Sequence, residues 1–445
     1  MPVAREIAYD LTRRVNSSGA YLGLLLQYTL REQDLSGRDR ALIAELAYGI
    51  QRHRNKLDYI IEHFSSRPLS DIEEEILDAL RLGIYQISEM RIPAHASVNE
   101  TVDLAKKKIH QGASSFVNAV LRNAAKNLDD LQWPSREDLP YYLVILFSHP
   151  RWLVDYILQM FDAQTAEALC AADNRFPGIS LRVNTQRTGR EDLMSRILTG
   201  GGRAEPSRYF EEGLVKAGMP RRLLLDLLEE GLCVVQDESS MLVSHIVDPQ
   251  NGSLIVDTCA APGGKASHLA ILGGEGCRVI AVDKNTRRLD ALRNTVARLG
   301  LGNIDIVEGD ATRLGDYLAQ APDAMLIDAP CSGLGTLRRR PELKWRRTRE
   351  DLSRLAATQL AILEGCAEVV RPGGVIVYSV CTYSREETSD VIENFLVNHP
   401  DYALDDVAPH LPPNMNHVTN SFGCVQLMPH LNDMEGMFVA RMIRH

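Results

Sequence analysis

Leu254-Ile255-Val256-Asp257-Thr258-Cys259-Ala260-Ala261-Pro262-Gly263-Gly264-Lys265 decides how the rest of the chain is organised. A short apolar run ending in an acid reads as a buried strand, and the small residues after it read as a tight strand-to-helix turn. Such a turn lets the backbone pass close to a ligand. Its spacing is neither G-x-G-x-x-G nor the G-x-x-x-x-G-K-[ST] loop, which weakens both a dinucleotide and an NTP reading. Further strand-like runs follow at 278–283, 304–307, 324–328 and 375–378. Helical stretches separate them, among them 286–299 with Gly300 as its stop, while Arg371-Pro372-Gly373-Gly374 is a helix-stop turn. Strands alternating with helices predict a parallel, doubly wound sheet, which binds ligands at the carboxyl ends of its strands.

Chemistry-bearing residues gather at those ends. Asp283 closes the second strand, where an acid bonds ribose hydroxyls, and Asp310 closes the third, where an acceptor takes an adenine amino group. For each acid taken alone before a helix, an N-cap is the stronger reading. With Asp257, three in succession favour an adenosyl ligand. Cys331, in Asp328-Ala329-Pro330-Cys331, and Cys381, in Tyr378-Ser379-Val380-Cys381-Thr382, each close an apolar run. Two thiols beside a nucleotide cofactor point to covalent chemistry on an electron-poor ring, because a thiolate is the strongest side-chain nucleophile. The plainer alternative is two small core hydrophobes.

At 445 residues the chain is expected to hold two to four domains. Its 45% apolar and 24% charged content is that of a globular protein. The longest apolar runs, such as 141–147, fall far short of the ~20 residues that span a bilayer. No secretory signal opens the chain. The eight cysteines include no C-x-x-C pair, which argues against zinc and against a disulfide framework. A reducing cytoplasm, no metal and a monomer without an obligate protein partner are the expectations.

A net charge of −10 does not advertise a nucleic-acid binder. Local clustering says more. Arg338, Arg339, Arg340, Lys344, Arg346, Arg347 and Arg349 face only Glu342, with Trp345 among them. A basic strip with an embedded aromatic suits phosphates and a stacked base, and the alternative is a solvated helix face. Its place directly after Cys331 favours the first.

Residues 1–130 show helical periodicity throughout and predict an all-α bundle. Trp133-Pro134-Ser135 reads as a linker. Residues 140–250 mix a helical stretch at 152–170, a strand at 179–183 and a turn at Gly200-Gly201-Gly202, a small α+β module. Residues 251–445 carry the strand–helix alternation.

The run 257–265, the Asp-Ala-Pro-Cys-Ser-Gly at 328–333 and the Cys381 segment resemble the motifs of RNA cytosine-C5 methyltransferases dependent on S-adenosylmethionine. The helical region, with Arg38-Asp39-Arg40-Ala41-Leu42, Arg91-Ile92-Pro93-Ala94-His95 and 116–122, is similar to the NusB-like domain of the RsmB/Sun/Fmu family. Ser148-His149-Pro150-Arg151-Trp152, Val235-Gln236-Asp237-Glu238 and Gln426-Leu427-Met428-Pro429-His430 fit the same family. The resemblance covers nearly the whole chain. It implies a NusB-like bundle, a ferredoxin-like or RRM-like middle module, and a Rossmann-like class I catalytic domain that methylates a cytosine of 16S ribosomal RNA and releases S-adenosylhomocysteine.

It also implies site residues. Cys259, Ala260, Ala261, Pro262, Gly263, Gly264, Lys265, Asp283, Asp310 and Asp328 hold the cofactor. Cys381 is the nucleophile, Cys331 assists product release, and Asp328 binds the cytosine edge. Arg338, Arg339, Arg340, Lys344, Trp345 and Arg346 are candidate RNA contacts. From chemistry alone the nucleophile stays open, because DNA cytosine methyltransferases use a Pro-Cys thiol like Pro330-Cys331. They also carry a Glu-Asn-Val segment that this sequence lacks. A transfer-RNA methyltransferase with the same chemistry is the rival enzyme, and a non-catalytic RNA-binding assembly factor the rival of another class.

Overall fold

The computed structural model describes residues 3–90, 92–420 and 422–445, so Arg91 of the family-like segment lies outside the described residues. The chain forms two compact units, one of residues 1–175 with 337–348, the other of residues 176–336 with 349–445. No helix among the described residues is long and apolar enough to cross a membrane.

The first unit begins with helices α1 (Val3–Ser18), α2 (Leu22–Arg31), α3 (Gly37–Arg52), α4 (Arg54–Phe64), α5 (Glu74–Ser88), α6 (Ala94–Lys108) and α7 (Gln111–Asn127). Their caps are written locally: the Ser36 hydroxyl accepts from Asp39 N at 3.1 Å and starts α3. α5 is the central helix, with every residue from Ile76 to Gln86 buried. Its Leu77, Leu80 and Ile84 share one core with Leu57 and Ile61 of α4 and Val117 and Leu121 of α7. Three helices follow, α8 (Leu139–Leu146), α9 (Arg151–Met160) and α10 (Ala163–Asp173). The single helix expected over 152–170 is thus two. Phe161 is extended, and Asp162 caps a fresh start by accepting from Thr165 N at 2.8 Å.

The second unit opens with a four-stranded antiparallel sheet of order β2-β3-β1-β4, built from β1 (Ile179–Val183), β2 (Arg203–Pro206), β3 (Gly213–Gly218) and β4 (Cys233–Val235). Helices α11 (Arg190–Thr199) and α12 (Arg221–Glu229) lie in the same stretch, and Leu193, Ile197 and Leu227 share its core with Leu181 and Leu214. α13 (Glu238–Val247) leads into the large sheet.

That sheet contains β5 (Leu254–Asp257), β6 (Arg278–Asp283), β7 (Ile304–Glu308), β8 (Ala324–Asp328), β9 (Val375–Val380), β10 (Tyr402–Asp405), β11 (Val425–Leu427) and β12 (Met437–Arg444). The order is β10-β12-β9-β8-β5-β6-β7, with β11 added to β12. α14 (Gly264–Gly273), α15 (Thr286–Leu299), α16 (Arg349–Ala367) and α17 (Ser389–Asn398) connect the strands. Strands β5 to β9 pair in parallel, as the alternation predicts. The sheet as a whole is mixed, because β12 runs antiparallel to β9 and β10 antiparallel to β12. A sequence reading of strand–helix alternation stops at β9 and misses this closing edge. β5 lies between β6 and β8, so the strand order reverses there, which is where open α/β sheets bind ligands.

Candidate active site

β5 ends at Asp257, whose carboxyl is raised to about 7 by burial first and by the nearby Asp328 charge second. The turn that follows is sewn to both neighbouring strands. Thr258 N donates to Leu326 O at 2.9 Å, Ala260 N to Val282 O at 2.9 Å, and Ala261 N to the Asp283 carboxylate at 3.3 Å. Gly263 has φ +101°, and any Cβ there meets Leu292 Cδ1 at 2.5 Å, so this corner admits only glycine. The Cys259 thiol is pushed up to about 12 by burial, so what Cys259 offers a ligand is backbone.

Asp283, only 3% exposed, also accepts from Asn285 N at 2.9 Å and pairs with Arg288 at 3.3 Å. β7 ends at Glu308, and Asp310 lies beyond it. Its carboxylate accepts from Thr312 N at 3.0 Å and from the Thr312 hydroxyl at 2.9 Å, bonds that hold its pKa below the usual range. Asp310 is therefore an N-cap, and it is also exposed near the same edge of the sheet. One small-residue turn and two acids suit an adenosyl group: acceptors for a diol and an amino group, and no bulk in between.

Lys265, in the first turn of α14, reaches across to Asp328 at the end of β8, Nζ to Oδ2 2.7 Å. Burial lowers the ammonium pKa, and the Asp328 carboxylate more than offsets it, leaving Lys265 raised. The Ser379 hydroxyl donates to the other Asp328 oxygen at 3.0 Å, so α14 and the neighbouring strand β9 together position one carboxylate at the end of β8. Sequence reading missed Ser379.

Cys331 and Cys381 stand side by side, Sγ to Sγ 3.2 Å. Cys381 directly follows β9, and its carbonyl accepts from Gly335 N at 3.0 Å. Ala329 N donates to Ser379 O at 3.0 Å, which fixes the Cys331 turn against the same strand. The Cys331 thiol is held well above its ordinary value, first by its hydrogen bond to Cys381 and then by burial. Underneath lies a buried network: Glu387 accepts from Ser332 N at 2.7 Å, from Gln359 Nε2 at 3.0 Å and from the Ser384 hydroxyl at 2.7 Å. Gln359 Nε2 also donates to Pro330 O at 2.9 Å. Polar residues buried under a reactive turn fix its geometry, and no local sequence signal marks Gln359 or Glu387 for that task.

A second cluster also escaped sequence reading. Glu212 Oε1 lies 2.8 Å from His245 Nε2 and 3.0 Å from His268 Nε2, joining the β2–β3 connection to α13 and α14. Burial lowers His268 to about 3, helped by the Arg182 guanidinium.

The basic strip is divided between the two units. Residues 337–348, with a helical turn at Leu343–Arg346, belong to the helical unit, and Arg349 opens α16. Lys344 is fully buried, and its ammonium donates to Ser148 O at 3.2 Å and Asn174 Oδ1 at 2.7 Å, so it offers no charge to a phosphate. Arg338 is buried too, its carbonyl accepting from Arg52 at 2.9 Å. Trp345 donates its indole N–H to Gln51 O at 2.7 Å, and Arg346 lies 4.2 Å over the Tyr21 ring. Arg339 is half-buried and Arg340 exposed. The expectation of one continuous phosphate-facing strip is corrected accordingly. Elsewhere on the helical unit, Lys107 and Lys108 pair with Glu6 and Asp10, each at 2.7 Å.

A sheet that reverses at β5, a small-residue turn leading into α14, and acids at successive strand ends define a Rossmann-like methyltransferase carrying an N-terminal helical domain. Family models agree in detail: "16S rRNA methyltransferase RsmB/F" matches residues 244–443, the NusB family residues 2–126, and the ferredoxin-like domain of RsmF/B-like methyltransferases residues 149–218. The probable ribosomal RNA small subunit methyltransferase B of Bacillus subtilis is 33% identical over 445 residues, covering 98% of each chain. The ribosomal RNA small subunit methyltransferase B of Pectobacterium atrosepticum is 30% identical, covering 99% of this chain and 98% of its own. The crystal structure of PH0851 superimposes with a TM-score of 0.84 at 22% identity, covering 100% of this chain and 99% of that one, a likeness of fold. The chain belongs to the ribosomal RNA small subunit methyltransferase B family.

Proposed function

We propose that this protein transfers a methyl group from S-adenosylmethionine to C5 of a cytosine in 16S ribosomal RNA, through a covalent adduct between Cys381 and C6 of the base. The observation that carries the reading is the 3.2 Å approach of Cys331 and Cys381 beside Asp328. Cytosine C5 is too weak a nucleophile to attack a sulfonium methyl group unaided. The Cys381 thiolate adds to C6, its electron pair forming the S–C6 bond while the ring electrons move onto C5 and the N3 side. Asp328, positioned by Lys265 and Ser379, binds the N3 and amino edge and favours that adduct. Bound S-adenosylmethionine would supply an electrophilic methyl group, which C5 takes as the methyl–sulfur bond breaks and S-adenosylhomocysteine leaves. The C5 proton then passes to water, its electron pair reforms the C5–C6 double bond, and the S–C6 bond breaks to return the Cys381 thiolate. Cys331, in contact with Cys381, assists this last step. The 259–265 turn would hold the cofactor, with Asp283 for its ribose hydroxyls and Asp310 for its adenine amino group. The target base leaves any stack to reach the thiols, as in other enzymes acting on bases.

The test is transfer of labelled methyl to 16S ribosomal RNA and to total transfer RNA, with the product base mapped. The reading expects 5-methylcytosine at one position of 16S RNA. Labelling of transfer RNA alone would replace the substrate, and methyl incorporation without 5-methylcytosine would overturn the chemistry.

A further inference from the structure

The cluster of Glu212, His245 and His268 takes no part in the methyl-transfer chemistry. Its members come from the β2–β3 connection, α13 and α14, and the histidines follow Glu212 by 33 and 56 residues. One atom of each is nevertheless brought to a common point: Glu212 Oε1, His245 Nε2 and His268 Nε2 all lie within 4.8 Å of one another. The His245 ring stacks on Phe210, centroids 5.2 Å apart, and stands edge-on to the His268 ring at 5.3 Å and 83°. Packing therefore holds both imidazoles with Nε2, not a ring face, toward the carboxylate.

The cluster is reachable. All three residues line one cavity of about 610 Å³. The His245 side chain keeps 29% of its surface exposed and Glu212 10%, while His268 closes the back of the cluster at 0%. Arg182 lines the same cavity, but its guanidinium bonds Gln236 Oε1 at 2.6 Å and Ser267 Oγ at 2.7 Å rather than the Glu212 carboxylate.

Two imidazole nitrogens and one carboxylate oxygen are a donor set for zinc; magnesium and calcium take oxygen ligands. A tetrahedral zinc with bonds of about 2.0–2.1 Å sets its ligand atoms about 3.3 Å apart and the centroids of two bound imidazoles about 5 Å apart. The ring centroids already stand at 5.3 Å, and the 2.8 and 3.0 Å contacts with Glu212 need to open by only about 0.5 and 0.3 Å to reach that geometry. Each neutral imidazole frees Nε2 by moving its proton to Nδ1, so none is released. At His268 that move disrupts nothing, because Nδ1 has no partner among the described residues with or without the proton. We propose that Glu212, His245 and His268 bind one zinc ion, with room on the cavity side for a water as fourth ligand. The ion is a structural clamp. It ties the β2–β3 connection to α13 and α14, and His268 lies one turn of α14 beyond Lys265 of the cofactor turn. Cysteine spacing, which underlies the metal-free expectation, carries no information about such a site. The alternative is two imidazoles that only hydrogen-bond one carboxylate.

The experiment uses the full chain carrying Cys381→Ala, so that the neighbouring thiols do not compete for metal. The protein is stripped with EDTA and dialysed against zinc chloride, and its zinc content is measured by atomic absorption. One zinc per chain is expected. Loss of an outer-shell partner already weakens metal binding about 10–100-fold, so His245→Gln, which removes a ligand but keeps an N–H for Glu212, should weaken it by about 100-fold or more. X-ray absorption at the zinc edge of the parent protein needs no variant at the cluster. It should show nitrogen and oxygen neighbours at about 2.0–2.1 Å with imidazole outer-shell scattering, and no sulfur at about 2.3 Å. Absence of bound zinc, unchanged affinity in a folded His245→Gln variant, or sulfur among the nearest neighbours would overturn the proposal. None of these readouts depends on RNA or methyl transfer, so the site and the catalytic reading fail separately.

Discussion

Replacing Cys331 by alanine tests the division of labour between the two thiols most sharply. The Sγ atoms lie 3.2 Å apart, and the contact with Cys381 and burial both hold the Cys331 thiol above its ordinary value. In the proposed reaction Cys381 attacks as the thiolate, which leaves the Cys331 S–H as the donor of that contact. A hydrogen bond to a charged group contributes about 1.5–3 kcal/mol, and a thiol donor belongs at the lower end. Losing about 1.5 kcal/mol moves the pH midpoint of adduct formation up by about one unit, at 1.36 kcal/mol per unit. Below that midpoint, adducts form about 10-fold more slowly. Once formed they persist, because the group that assists breakage of the S–C6 bond is gone. The assay is a denaturing gel of protein with labelled RNA and S-adenosylmethionine, read as a time course from pH 6 to 9. Cys331→Ala should show a slow, pH-shifted rise to a stable protein–RNA band, Cys381→Ala no band, and wild type a faint transient one. A stable band with Cys381→Ala and none with Cys331→Ala would reverse the roles. A Cys331→Ala rise with the wild-type pH midpoint would remove the hydrogen bond from the account.

Three further outcomes follow from named contacts. Treatment with hydrogen peroxide should join the neighbouring thiols, two S–H groups giving one S–S bond while peroxide is reduced to water; titratable thiols fall by two from eight, activity falls in parallel, and dithiothreitol restores both. Activity loss with all eight thiols still titratable would refute this pairing. Lys344→Met should leave the salt slope of RNA binding unchanged, because the ammonium is buried on Ser148 and Asn174; a slope lower by about 0.7–0.9 would show that it neutralises a phosphate. The third outcome concerns acid stability. His268 has a folded pKa of about 3 against an ordinary 6.5, so the unfolded chain binds the extra proton and stability is lost as pH falls from 6.5 toward 3. The limit is on the order of 5 kcal/mol, and the Glu212 carboxylate, held below its usual range, adds loss in the same direction. His268→Gln keeps an N–H for Glu212 and does not titrate, so its melting temperature should fall less between pH 6.5 and 4; a profile parallel to wild type would count against His268.

The catalytic half was legible because its signals are local. Strand β5 runs directly into its small-residue turn, and Asp283 and Asp328 are each the last residue of their own strand, β6 and β8. The cysteines were legible for the same reason: each sits within a turn of a strand end, and parallel pairing of β8 with β9, Asp328 opposite Ser379, brings the two ends together. β12 was not legible. Its run Met437–Arg444 is buried over most of its length, so it lacks the alternation of a half-exposed strand. Nothing near it in sequence announces that it pairs antiparallel to β9, more than fifty residues upstream.

The basic strip shows a deeper limit. Composition counts charges, and a charge run is ordinarily a solvated face, but solvation is a property of the folded surroundings. Lys344 receives its acceptors from Ser148, after α8, and Asn174, after α10. Trp345 is oriented by the last turn of α3. Burying an ammonium is tolerable only where carbonyl and amide oxygens are already in place, so position 344 is decided by elements far from it in the chain. The single acid in the strip turns inward with Lys344 and Arg338. Among seven cations Glu342 reads as a partial neutralisation, yet in the fold it is 2% exposed and accepts from Leu22 N at 3.1 Å, a helix-start contact that no count of charges along the strip announces.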